Sequence, residues 1–450
     1  MSPPPLRRNA RYQFLWAGAA CATLGTEINR VALPLTLLAL TGSATRAGLV
    51  AATLTAAMLL AQMPAGIWVD RHDRRRILLL AQAVQVLNAL VLLAGLAAGF
   101  AGLALFLVFA AVDGVCQAFL GPVRQVSIRA VVPIPQLRGA FAQEEARSHA
   151  GRVLGPALGG VLQGVGLLAP YLAMAVSVAA AWCFALAARV PRRPGEGVEA
   201  ADPGRSVGPY ADARSATEAA DPDVPIGPDG DDAPREDAAD PPADAPRRRG
   251  MLAESWEALR WLVGRPGLRE LSVVIMAMNF FGGGVTLALI VHIGALGGSG
   301  ALAGLVLTGI GIGGLIGALA SGWVTARVPA GRLAIGVPAL LGLCLGLAAL
   351  PLAPWWPFFP ILAFSLVTPA LNVASGAVTA QLVPADMLGR VGALLTVTGG
   401  ALAPLGPLLG GVLAGSLGGD WALAIAGAGF VLTALLGALS PTLRRFEAGE

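Results

Sequence analysis

Apolar residues fall along the chain in runs of membrane-spanning length, separated by short polar connectors and one long polar stretch. The runs lie near 13–40, 46–69, 77–99, 101–123, 140–165 and 168–189, then near 271–294, 301–325, 332–352, 356–380, 391–415 and 420–440. About 20 mostly apolar residues suffice for a helix to cross a bilayer. The pattern therefore predicts twelve spanning helices, six on each side of the polar stretch 190–250. The expected fold class is an all-α polytopic membrane protein of twelve transmembrane helices, arranged as two six-helix bundles.

The connectors assign the two faces. Arg7, Arg8, Arg11, the cluster Arg71, Arg74, Arg75 and Arg76, then Arg129, Arg138, the 190–270 region, Arg327, Arg332, Arg390, Arg444 and Arg445 all fall on one side. The other side carries only Arg46, His292 and Asp420 as charged or titratable groups. Arginine accumulates in cytoplasmic loops, so both termini and the long insert are expected on the cytoplasmic side of the plasma membrane. Trp16, Trp68 and Trp323 sit at the arginine-rich ends, and Trp355, Trp356 and Trp421 at the opposite ends, where indole rings prefer the interface.

Composition agrees: 56% apolar residues, a mean hydropathy of +0.70 and 13% charge lie outside the range of soluble domains. The charge is unevenly spread, because residues 190–250 hold 14 of the 27 acidic and 8 of the 31 basic residues. An acidic insert thus hangs on a basic membrane body. All basic residues are arginine, which with the Ala, Gly and Pro richness is a mark of GC-rich coding and no sign of nucleic-acid binding. The insert lacks apolar periodicity and is expected to be a disordered linker. After it, Leu252, Trp256, Leu259, Trp261, Leu262 and Leu268 alternate with charges over Met251–Arg269, as in an amphipathic helix lying in the interface. The division that follows is a bundle over 1–189, the linker 190–250, the interfacial helix 251–270 and a second bundle over 271–450. Cys21, Cys116, Cys183 and Cys344 stand alone in apolar runs, so neither a disulfide framework nor a metal site is expected. The basic opening Met1–Arg11 precedes a run too long for a signal-peptide core, so this run is expected to be retained as the first span.

An internal repeat supports the six-plus-six division. Gly155-Pro156-Ala157-Leu158-Gly159-Gly160 recurs 251 residues later as Gly406-Pro407-Leu408-Leu409-Gly410-Gly411, each reading GPxxGG. An offset of 256 sets Gly66, Arg71 and Arg76 against Gly322, Arg327 and Arg332. Six spans return the chain to the side it left, so the two halves share one orientation.

These motifs carry a resemblance. The chain resembles a major facilitator superfamily transporter, and more narrowly the twelve-span drug exporters that include macrolide-efflux and enterobactin-exporter proteins. The loop between the second and third spans matches the superfamily pattern GxxxDRxGRR at Gly66, Asp70, Arg71, Arg74 and Arg75, with Asp73 where the second glycine would stand. Aspartate tolerates left-handed backbone better than most residues, so the turn is expected to persist. The resemblance implies a cytoplasmic latch, with Asp70 at the N-terminal end of a helix of the other half and the arginines paired to nearby acids. The second half keeps Arg327 but has Ala326 in the aspartate's place, so one latch is expected. Gly151, Gly155, Pro156, Gly159 and Gly160 resemble the end of the exporters' antiporter motif, although Ala142 replaces its first glycine. Such a segment permits close helix approach and bending and could form the interface on which the halves rock.

Charge at membrane depth marks the candidate site. Glu27, Arg30, Asp113, Arg147 and Arg152 fall inside apolar runs, where each costs about 2.5–3.5 kcal/mol on insertion scales. The resemblance implies that spans 1, 4, 7 and 10 line a central cavity. Glu27 and Asp113, near Arg30 or Arg152, are the expected proton carriers, alternating between ion pair and protonated acid; a permanent ion-pair network is the competing reading. Asn29, Gln117, Asn279, Phe280, Phe281, Asn372 and Ser375 are either substrate contacts or ordinary helix packing. Arg124, Glu144 and Glu145 suit gate ion pairs. His72, His149 and His292 are scattered, so no metal is expected, and the sequence calls for no cofactor. No GxxxxGK[ST] loop is present. The function expected is proton-coupled export of hydrophobic or amphipathic small molecules by a monomer in the lipid bilayer. The alternatives are an importer or lipid mover on the same fold, or a signalling protein docking through the insert. No residue clustering suggests an enzyme.

Overall fold

The computed structural model describes residues 6–188, 260, 262–383 and 388–445. The 190–250 linker and most of the expected interfacial helix lie outside the described residues. The helices are α1 (Ala10–Thr41), α2 (Ala44–Arg71), α3 (Arg74–Ala97), α4 (Leu103–Val131), α5 (Leu137–Val165), α6 (Ala169–Ala188), α7 (Pro266–Gly283), α8 (Val285–Ala295), α9 (Gly300–Thr325), α10 (Ala330–Ala348), α11 (Phe358–Leu382), α12 (Leu388–Gly400), α13 (Leu405–Ser416), α14 (Gly419–Leu439) and the short α15 (Pro441–Arg445). Lipid offers the backbone no hydrogen bonds, so each span satisfies its own amides by coiling.

Among the described residues, ten spans are long and apolar enough to cross a membrane, with α7 and α8 counted as one and α12 with α13 as another. The remaining two of the twelve are α1 and α5, whose apolarity is diluted by Glu27 and Arg30 in one and by Glu144, Glu145, Arg147 and Arg152 in the other. These two helices pack on each other, and Glu27 and Arg147 are buried where they do.

Spans 7 and 11, expected to be continuous, are each broken. Gly284 separates α7 from α8 where the chain packs tightly on Gly406 and Gly410 of α13. Residues 401–404 separate α12 from α13, ending at Pro404, which has no amide to donate. Short connectors are capped by side chains: Asn9 caps α1 and donates to Val131 O at 2.7 Å, Ser43 caps α2, and Ser299 caps α9.

The packing repeats. In the first half α2 packs on α4, α1 on α5 and α6, and α3 on α4 and α6. In the second half α9 packs on α11, α7 and α8 on α13 and α14, and α10 on α11 and α14. The halves meet through two crossings, α5 on α9 and α2 on α13, which the repeat interchanges. Leu262 and Leu268, from the described end of the expected interfacial helix, are buried in the core of the second half. Leucines such as Leu60, Leu319 and Leu439 point outward into what would be lipid. Trp68 and Trp323 are exposed toward the face that carries both termini, and Trp355 and Trp421 toward the far face.

Candidate functional site

The two GPxxGG segments do the same work twice. On α5, Gly151, Gly155 and Gly159 form one face, packed on Thr23, Glu27 and Ile28 of α1. Gly160, turned the other way, meets Gly304 of α9, and a Cβ on Gly304 would stand 2.9 Å from the Gly160 Cα and against the carbonyl of Pro156. In the second half, Gly406 packs on Phe280 of α7 and Gly410 on Gly284, while Gly411 crosses to Gly48 of α2. A Cβ on Gly48 would stand 2.5 Å from the Pro407 carbonyl oxygen and 2.8 Å from the Gly411 Cα. Each motif thus binds its own half with one face and the partner half with the other. Gly48 and Gly304 are partners that the motifs alone did not reveal, although they lie 256 residues apart, at the repeat offset.

All these crossings lie toward the far face or at mid-depth, where Gly311 packs on the α5 backbone at Arg152 and Gly314 faces His149. Nearer the termini face, Gly66 and its repeat mate Gly322 have open space where a Cβ would stand, among the described residues. Among the described residues, the glycine contacts between α5 and α9 run from the far face to Gly314 at mid-depth.

The charges at depth resolve into separate groups. Glu27 is buried under Gly155 and lies 3.3 Å from the Nε of Arg30, whose side chain is 56% exposed. Arg152 is also exposed and makes no hydrogen bond or ion pair among the described residues. Arg147 is buried; it donates to the Ala19 carbonyl at 2.7 Å and holds Thr23 and Glu144, and Arg124 stands 3.9 Å from that same Glu144. Glu145 pairs with His149 at 3.1 Å. This cluster fastens α1, α4 and α5 near the termini face.

Asp113 does not join an arginine, contrary to the sequence expectation. Its two oxygens accept from Gln85 Nε2 at 2.9 Å and Gln117 Nε2 at 2.8 Å, and it is 2% exposed within the first half. Amides rather than a cation surround it because α3, not α1 or α5, is the helix facing it. Gln85 is the residue that the sequence did not single out; its one signal is a polar side chain inside the apolar run of α3.

The remaining candidates divide. Gln117 serves Asp113. Asn29 is buried with no donor for its Oδ1. Asn279 donates to Gly399 O at 2.9 Å and ties α7 to α12. Phe280 and Phe281 stack edge to face at 5.0 Å, and Phe281 packs on Phe430 and Gly429, as ordinary packing of the second half. Asn372 is exposed and makes no polar contact among the described residues. Among the described residues no three His, Cys, Asp or Glu side chains could hold a metal.

In the loop motif, Asp70 and Arg71 occupy the last turn of α2, but their side chains lie outside the described residues. Asp73 replaces the pattern's second glycine without a left-handed backbone: its φ is −60°, and it caps α3 by accepting from the amides of Arg75 at 2.9 Å and Arg76 at 3.2 Å. The expectation that this turn needs a left-handed residue is therefore corrected. Of the arginines, Arg76 lies 3.5 Å from Asp73, Arg75 donates to Leu186 O at 3.4 Å, and Arg74 has no polar partner among the described residues. His72 stacks on Trp68 with ring centroids 4.6 Å apart, and in the second half Arg327 lies 4.2 Å over Trp323.

Solved transporters share this architecture. The chain superposes on the POT family transporter PepTSo with a TM-score of 0.68 at 11% identity, covering 97% of this chain and 98% of that one. It superposes on a bacterial homologue of the iron transporter ferroportin in an inward-facing state with a TM-score of 0.66 at 14% identity, covering 97% and 99%. A bacterial homologue of the human lysosomal transporter Spinster, inward-facing and unoccupied, gives 0.63 at 17% identity, covering 98% and 97%. No curated protein sequence matches the chain. At these identities the structures speak for the fold alone. The family model described as Major Facilitator Superfamily matches residues 15–260 and 271–449. With both halves of the repeat matched and the two-bundle fold in place, the chain belongs to the Major Facilitator Superfamily and is a transporter.

Proposed function

We propose that the protein exports hydrophobic or amphipathic small molecules in exchange for protons, working as a monomer by alternating access, with bundles over 1–189 and 271–450 as its two moving bodies. The observation that carries this reading is the contact of Gly155 with Glu27. The glycine motif that meets α9 through Gly160 rests, on its opposite face, against the Cβ and backbone of Glu27 through Gly155, so the Glu27–Arg30 pair of α1 sits one helix away from the interface on which the halves would rock. A proton that neutralises Glu27 weakens that pair and so connects protonation to access.

The arginine-rich termini face is taken as cytoplasmic, in a plasma membrane. An export substrate would load from that side, with the exposed Arg30 and Arg152 as its first charged contacts. An inward proton gains about 2.3 kcal/mol per 100 mV, which supplies the driving force. Asp113 is the second proton carrier, since among the described residues it meets two amides and no cation, and a proton is what can neutralise it. The export direction rests on the resemblance of Gly151–Gly160 to the antiporter motif.

The test is reconstitution in proteoliposomes with an imposed pH gradient and a panel of fluorescent amphipathic dyes. Dye flux opposite to proton flux, abolished by an uncoupler, is the expected result. Flux in the same direction as protons makes the protein an importer, and flux indifferent to the gradient removes the proton.

The loop is proposed as the cytoplasmic latch, with Asp70 its essential member. Asp70→Asn is expected to reduce flux by about tenfold or more, the scale of one lost charge-assisted contact. Arg76→Ala, on a side chain open to solvent, is expected to change flux less than about twofold. Equal effects would reduce the stretch to an orientation anchor.

A further inference from the structure

We propose that the first half contains its own proton path, a water-linked polar track running inside the bundle from the termini face to Asp113 and separate from the space between the halves. The proposal rests on Asp113 being a proton carrier. It begins with two buried glutamines on one face of α3, Gln82 and Gln85, each 3% exposed and each with a side-chain carbonyl that meets no donor. An unmatched buried carbonyl costs about 1–3 kcal/mol, and ordered water is the usual remedy.

Room for one such water is present beside Gln82. A cavity of about 10 Å³ lies between α1, α3, α4 and α6, lined by Gln82 and Arg124 with Phe14, Leu15, Leu78 and Ala181 among its apolar walls. That volume is about one water molecule. Arg124 has five N–H donors, and the one acid near them is Glu144 at 3.9 Å, so a water in the cavity can accept from Arg124 and donate to the Gln82 carbonyl. Gln117 and Arg124 share a face of α4 with Asp113, about one and three turns nearer the termini face. Glu144, 21% exposed, opens this column to solvent, with Arg147 at its side.

The site at the upper end accommodates both forms of the acid. As a carboxylate, Asp113 accepts from Gln85 and Gln117. As an acid, it must donate once, and a half-turn of the Gln85 amide presents the carbonyl that now lacks a donor. The proton is taken from solvent at Glu144. The cavity water beside Gln82 is one member of the chain, and a second water entering between Gln82 and Gln85 completes it: the cavity water gives one proton to the second as it receives one from the Glu144 side, the second gives one to Asp113, and an O–H bond forms there. The other titratable side chain near Asp113 is the Cys116 thiol on α4. The α2 surface against Gly114 offers Leu54, Ala57 and Met58, with no charge.

The test is infrared difference spectroscopy on the full-length protein in proteoliposomes after a pH jump in H2O and D2O, with Asp113→Asn assigning the carboxylic acid band. Gln82→Met, which keeps the shape and removes the carbonyl, is expected to leave the band in place and slow its deuterium shift by about tenfold. Ala181→Val, which fills the cavity with Gln82 intact, is expected to do the same and guards against a folding defect in the first variant. A band that shifts at the wild-type rate in both variants overturns the track while leaving Asp113 a proton carrier. A protein with no Asp113 band at any pH overturns both.

Discussion

Gly304→Leu is expected to abolish transport and to spread the halves at the far face. The reason is geometric. Gly300 and Gly304 of α9 cross Pro156 and Gly160 of α5, and Ala44 and Gly48 of α2 cross Pro407 and Gly411 of α13, each with backbone against backbone. This is small-residue packing of the kind that replaces hydrophobic drive in a membrane. A side chain at Gly304 meets the Pro156 carbonyl, and main chain cannot step aside as a flexible side chain would. Overpacking a tight interface costs about 1–3 kcal/mol, or roughly 5- to 150-fold in the population of the closed far face. Spin labels at Thr45 and Ser416, both at the far-face ends of their helices, should report a longer and broader distance in the variant. Gly48→Leu is expected to reproduce the effect through the other crossing. Wild-type distances and wild-type flux in both variants would show that these contacts do not hold the state.

The second large effect is expected from Glu27→Gln. Glutamine keeps the length and volume of the side chain beneath Gly155, so the α1–α5 contact survives, while the charge that pairs with Arg30 is lost. Flux driven by a pH gradient should fall to the background level, while exchange of substrate across the membrane without a gradient should persist. That split separates a proton carrier from a structural pair: if the pair is merely structural, thermal stability and both kinds of flux should fall together. Gly155→Ala serves as the complementary change, because a Cβ there collides with Glu27 itself. It should impair both kinds of flux with the charge intact.

These predictions rest on two different kinds of contact, and the sequence disclosed them unequally. The loop Gly66–Arg76 was legible as a motif, yet its turn is made by Asp73 acting as a helix cap, which a pattern of glycines does not convey. The GPxxGG segments were legible as a repeat and as helix-contact material, but neither shows that Gly155 rests on Glu27 or that Gly160 reaches Gly304. Asp113 was legible as a charge too deep in the membrane to be idle. Gln117, four residues on, shares its helix face, but Gln85 was not legible, since it lies 28 residues away on another helix and nothing in the spacing couples the two.

What the sequence determined by itself is everything that depends on each segment's own exchange between water and lipid. The twelve runs, the helical character of each, the two-half repeat and the one-sided distribution of arginine follow from local apolarity and charge, because burying an amide or a guanidinium in hydrocarbon has a cost that no neighbour can hide. The tertiary structure alone decided which helices touch. It placed α1 and α5 together so that Glu27 is buried under Gly155 and Arg147 against Ala19 and Thr23, while Arg30 and Arg152 stay exposed. It broke span 7 at Gly284 and span 11 before Pro404, where close packing or a missing amide interrupts the coil. It also set Asp113 among glutamines instead of arginines. Contacts such as Gly48 with Gly411 join residues hundreds of positions apart, and they are chosen by the shape of whole helices packing in lipid, a property that belongs to no single stretch of the chain.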